Sequence, residues 1–97
     1  MPYNPITEVA PHYMNHDQNT VGVSAEKLVA ASEQRRSILI QNCSATNDLY
    51  IGNATVTTLN SVKILPGESL TLYVLSAIYA VASADTVDVR YLEEYCG

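Results

Sequence analysis

Five segments decide the fold: Arg36-Ser-Ile-Leu-Ile-Gln-Asn42, Asp48-Leu-Tyr-Ile-Gly52, Pro66-Gly-Glu-Ser-Leu-Thr-Leu72, Ile78-Tyr-Ala-Val-Ala82 and Thr86-Val-Asp-Val-Arg-Tyr-Leu92. Ile38 and Ile40 share one face while Leu39 and Gln41 share the other. Leu70, Leu72 and Val74 alternate with Ser69, Thr71 and Tyr73, and Val87, Val89 and Tyr91 alternate with Asp88, Arg90 and Leu92. A period of two marks a strand with one buried face. Turn residues separate the segments. Gly52 suits a turn or bulge, and Pro66-Gly67 suits the centre of a type II turn, where Pro presets the first φ and Gly accepts the positive one. Shorter strands are expected at 20–23, 27–31, 55–58 and 62–65, the last two flanking a hairpin turn at Asn60-Ser61. No amphipathic helix interrupts the series. The expected fold is all-β, a small antiparallel β-sandwich or barrel of about seven to nine short strands.

Composition changes near residue 20. Residues 1–19 carry three of the four prolines (Pro2, Pro5, Pro11), and no period of 3.6 or 2 orders their apolar side chains. Prolines remove donors and hold their neighbours extended. Aromatic and aliphatic side chains still recur every three to four residues, unlike a solvating tail. The reading is an extended arm over 1–19, with Tyr3, Ile6, Val9 and Tyr13 as anchors for a partner surface, followed by a β-domain over 20–97. Removal of residues 2–19 is expected to leave that domain folded.

A chain of 97 residues makes one domain. Ten acids stand against five bases, a net charge of −5, and no Lys or Arg precedes Lys27. That balance argues against a nucleic-acid partner, which needs clustered cations. No apolar run approaches the ~18 residues of a membrane span, and the first residues lack a secretory pattern, so neither membrane nor export is expected. Cys43 and Cys96 are expected to be reduced thiols. The core is modest: Phe and Trp are absent, and the seven tyrosines must share the work of Leu, Ile and Val. Tyr73, Leu92 and Tyr95 are candidates for an outer face, where association would add burial.

Catalytic patterns fail one by one. His12 and His16 have the spacing of two ligands on a helical face, but Pro11, Asn15 and Asp17 do not promise a helix. Cys43 has no histidine nearby in sequence to activate it. Asp85 fits a turn, Asp88 a solvent face, and Glu93-Glu94 a solvated terminus. Gly52 and Gly67 are isolated and make no phosphate loop. No catalytic residue, metal site or cofactor is expected, and the chain is not read as an enzyme.

The order Arg36 then Leu39-Ile-Gln-Asn42, Asp48-Leu-Tyr-Ile-Gly52, Leu65-Pro-Gly-Glu-Ser-Leu70, Ile78-Tyr-Ala-Val-Ala82 and Val87-Asp-Val-Arg-Tyr-Leu-Glu93 resembles small β-sandwich structural proteins of tailed bacteriophages. The likeness runs from Ser32 to Glu93, about two-thirds of the chain, and the arm lies outside it. It implies a capsid decoration, or cement, protein on the outer capsid surface of the virion, present in host cytoplasm during assembly. Its partners would be the major capsid protein and itself, as a homo-oligomer with a trimer favoured. The alternative is a tail, fibre or adaptor component, including a host-receptor module whose tyrosines stack on glycans. The matching residues have structural readings. Arg36 would tie loop carbonyls or a carboxylate such as Glu68 with its planar fork. Gln41 and Asn42 would complete backbone hydrogen bonds where the strand leaves the sheet. Gly52, Pro66 and Gly67 would set turns.

Overall fold

A computed structural model describes residues 13–96. Eight strands follow in order: β1 Tyr13–Val21, β2 Glu26–Val29, β3 Arg35–Asn42, β4 Leu49–Gly52, β5 Val62–Ile64, β6 Ser69–Leu72, β7 Ile78–Ala82 and β8 Val87–Tyr95. They form two four-stranded antiparallel sheets, β1-β8-β3-β6 and β2-β7-β4-β5, packed as a sandwich. The alternating residues fill the space between them. Ile38 and Ile40 of β3, Val87 and Val89 of β8, Leu49 and Ile51 of β4, and Ile78, Ala80 and Ala82 of β7 make one buried cluster with Val21, Leu28, Val29 and Ile64. Burying each such aliphatic side chain contributes roughly 1.5–3 kcal/mol, which is how short strands without Phe or Trp hold together. β1 packs near β2 and β7, so β5 and β6 form the opposite edges of the two sheets and lie on one side.

β1 changes the expected organisation. Tyr13–Asn19, read from sequence as arm, pair residue for residue with β8, from Tyr13 opposite Tyr95 to Asn19 opposite Val89. These residues belong to the folded body. Their inward positions are Asn15, Asp17 and Asn19, which share a face with Glu93, Tyr91 and Val89. Asn15 donates to Glu93 (3.0 Å) and Asn19 to the Leu28 carbonyl (3.3 Å). The strand therefore points polar side chains inward, and no hydrophobic period announces it. Residues 1–12 lie outside the described part, and with them Tyr3, Ile6 and Val9.

The expected strand at 55–58 is instead a series of turns. Asn53 accepts from the Thr55 amide (2.9 Å), and Asn60 accepts from the Thr57 amide (2.8 Å) while donating to the Thr55 carbonyl (3.2 Å). Side chains that offer the backbone local partners compete with a ladder, and here they win. Val56 is thereby placed on Tyr50 and Val81, sealing the outer face of the second sheet. Gly52 permits this approach, because a Cβ there would lie 3.2 Å from Val56.

Candidate interaction surface

The two ends of β3 hold the molecule's buried polar side chains. At one end is Arg35, 1% exposed. Its Nε donates to Glu93 Oε2 at 2.8 Å, and its Nη1 donates to the carbonyls of Val74 (3.1 Å) and Ser76 (3.0 Å). Nη2 donates to the Ala30 carbonyl. Glu93 accepts further bonds from Asn15 and from the Tyr95 hydroxyl (3.1 Å). Removing both charges from water costs several kcal/mol per ion, and the convergence of donors and acceptors offsets that cost. Burial and the Glu93 carboxylate raise the Tyr95 phenol above its ordinary value, against an opposing effect of Arg35. Tyr91, raised first by burial and then by Asp17 and Glu93, shifts the same way. Both hydroxyls therefore keep their protons over the ordinary pH range.

The fork expected of Arg36 is thus supplied by Arg35, and its carboxylate is Glu93 rather than Glu68. A β-bulge is the cause. Arg35 lies opposite Tyr95 and Ser37 opposite Glu94, so Arg36 is the extra residue. Counting back by twos from Ile40 and Ile38 puts Arg36 inside. The bulge reverses that parity, turning Arg36 out and Arg35 in. One signal in the sequence does point here. Glu93 continues the inward series Val87, Val89, Tyr91, and an inward carboxylate requires a cation.

Asn42 holds the other end of β3, fully buried. Its Nδ2 donates to the carbonyls of Asn47 and Ile64, both at 2.9 Å, and its Oδ1 accepts from the Ser44 amide at 2.8 Å. Its backbone bonds Glu68 and Gly67. This fulfils the role read for Asn42, whereas Gln41 points to solvent beside Cys43, a free thiol. Pro66-Gly67 form the expected turn, with Gly67 at φ +82° and the Glu68 amide bonded to the Leu65 carbonyl (2.9 Å). Glu68 bonds the Leu65 amide (3.3 Å).

Arg35 and Asn42 fasten the two segments that carry the chain between sheets beside β6: the loop after β6 and the turn before it. Between these points the sandwich is open. A cleft of about 440 Å³ enters between β5 and β6, lined by Ile51, Val62, Leu70, Leu72, Val74 and Ile78 among others. Asn53 and Ser76 are the polar side chains in its lining. In the segments that adjoin β5 and β6 along the chain, Leu59 is 94% exposed and Tyr73 78%, and Leu65 and Leu75 are exposed as well. With Val62 and Val74 these make six of the ten large apolar side chains that the described residues expose. All six come from segments flanking β5 and β6. Scattered apolar side chains are ordinary on a surface, but a gathered set beside an open edge marks a site of association.

Tyr13, expected as an arm anchor, stacks on Tyr95 with ring centroids 5.2 Å apart and planes at 10°. Tyr73 stands outward as expected and Leu92 lies half-buried on the outer face opposite Leu39, whereas Tyr95 shares the inward face with Glu93. His16 lies in β1, and His12 lies outside the described residues. Among the described residues no group of three or more His, Cys, Asp or Glu side chains gathers to hold a metal. No protein-family model, curated protein or solved structure was found to match the chain.

Proposed function

We propose that the protein is a capsid decoration protein of a tailed bacteriophage, seated as an oligomer on the outer head surface and bracing contacts between major capsid subunits. The observation that carries this reading is the apolar cleft between β5 and β6, with exposed apolar side chains in the adjoining segments, on a chain of only 97 residues. Such an edge suits an assembly component. The motif order from Ser32 to Glu93 supplies the choice of assembly, by its resemblance to phage structural proteins. The physics is that of a strained shell. Many weak joints hold it, and a small rigid body that engages several joints at once gains about 10²–10⁴ in avidity without strong single contacts. A net charge of −5 keeps such a protein away from packaged DNA.

The test adds purified protein to heads assembled without it and follows co-sedimentation and resistance to heating. Saturable binding with delayed rupture of the heads is the expected result. Absence of binding to heads, together with binding to host cells or to glycans, would replace this reading with a receptor module on the tail or fibre.

A further inference from the structure

The cleft between β5 and β6 is open along two sheet edges, and its lining is almost wholly aliphatic. Sites for small polar molecules carry several convergent polar groups, and this one offers Asn53 and Ser76 at its margin. The matching chemistry is a row of apolar side chains on an extended backbone. Edge strands add backbone hydrogen-bonding groups that a visiting chain would meet.

The chain itself contains such a row. Tyr3, Ile6 and Val9 recur every third residue, and Pro2 and Pro5 keep the same interval. Three residues per turn is the period of a polyproline II helix, which proline favours and which sets those three side chains on one stripe. Twelve residues precede Tyr13, and in that conformation they span roughly 37 Å at ~3.1 Å per residue. The starting point is suitable too. Tyr13 lies opposite Tyr95, Tyr95 lies opposite Arg35, and Arg35 holds the Val74 and Ser76 carbonyls at the mouth of the cleft. The segment therefore leaves the body at the end where the cleft opens, but at the far edge of the sheet. β1 and β6 are three strand spacings apart, roughly 14 Å. To enter its own cleft the chain would have to reverse at once and cross the loop that Arg35 fastens. By sequence, Pro11 disfavours a helical turn at Ala10, and Tyr13 itself is held on Tyr95 at the sheet edge remote from the cleft.

From the apolar cleft and the period-three stripe, we infer that residues 3–9 of one copy dock in the β5–β6 cleft of a second copy, with Tyr3, Ile6 and Val9 seated on Val62, Leu70, Leu72 and Val74. Arm and cleft are different surfaces, so the contact is heterologous and closes a ring when the rotation between copies allows. The inference rests on reading this edge as an association surface, and not on the shell to which the assembly binds. A ring that ignores capsids would retain it while discarding the capsid reading.

Two full-length variants test it. Tyr3→Ser/Ile6→Ser/Val9→Ser removes the stripe and keeps the cleft. Val62→Lys/Val74→Lys blocks the cleft at two exposed positions and keeps the stripe. By analytical ultracentrifugation at micromolar concentration the wild-type chain is expected to be an oligomer, and each variant alone a monomer. Each variant lacks one half of every contact, whereas their mixture keeps a single contact without ring closure; its apparent dissociation constant should lie roughly a hundredfold or more above the wild-type value, so the mixture is measured at a correspondingly higher concentration. An equimolar mixture of the variants is expected to give a one-to-one pair, since one supplies the stripe and the other the cleft. Circular dichroism checks that both remain folded. A monomeric wild-type chain, an oligomeric stripe variant or a mixture that stays monomeric would each overturn the inference. The first of these outcomes, combined with loss of head binding by the stripe variant, would assign the arm to the capsid.

Discussion

Arg35 is held by four acceptors on three separate segments, and this makes it the residue whose loss should spread furthest. Replacing Glu93 by Leu strands a buried guanidinium, and replacing Arg35 by Met strands a buried carboxylate. Each is expected to cost about 3–5 kcal/mol in urea denaturation. The double variant should fall short of the sum by about 1–3 kcal/mol, since it strands no charge. Strict additivity would show that the pair is not coupled. The phenols beside this cluster give a second expectation. For Tyr91 and Tyr95 the folded state raises the pKa above the ordinary 10.0. Their contribution is thus fully present below that value, and it is lost as pH climbs through the raised folded values. As pH rises past 10.0 the urea midpoint of the wild-type chain should fall more steeply than that of Tyr91→Phe/Tyr95→Phe. Parallel curves would remove the phenols from the alkaline limb.

At the scale of elements the decisive strand is β1. Removing residues 2–12 leaves β1 and its pairing with β8 whole and should leave the circular dichroism spectrum nearly unchanged. Removing residues 2–19 strips seven of the nine residues of β1, uncovers β8 and takes Asn15 from Glu93. That truncation should destabilise the protein severely, and a truncated chain as stable as the parent would show that β1 does not pair as described. The contrast also shows what the residues disclose and what they hide. β3, β6, β7 and β8 were legible because their inward positions are aliphatic at a period of two. β1 was not, because its inward-facing positions are Asn15, Asp17 and Asn19, of which Asn15 serves the buried Glu93 carboxylate and Asn19 the Leu28 carbonyl. The exchange of Arg36 for Arg35 is hidden in the sequence, because alternation carries no mark of a bulge. The turn at Leu65–Glu68 was legible in full, since Pro and Gly each declare a backbone angle.

Over the whole molecule, the two buried polar anchors at the ends of β3 fix the crossings between sheets, and the side between them is left open. That arrangement gives one edge of the sandwich a cleft and most of the exposed large apolar side chains, while the opposite edge is built from β1 and β2. No sequence period reveals such an edge, because it arises where two short edge strands, β5 and β6, fail to cover the core. A small acidic body with one adhesive side is suited to coating a large surface in many copies. The most direct measurement is an image reconstruction of phage heads, assembled without this protein and then incubated with it. Added density is expected on the outer surface at joints between major capsid subunits, in clusters whose copies meet at the β5–β6 edge. Bare heads, or density confined to the tail, would contradict the proposed role.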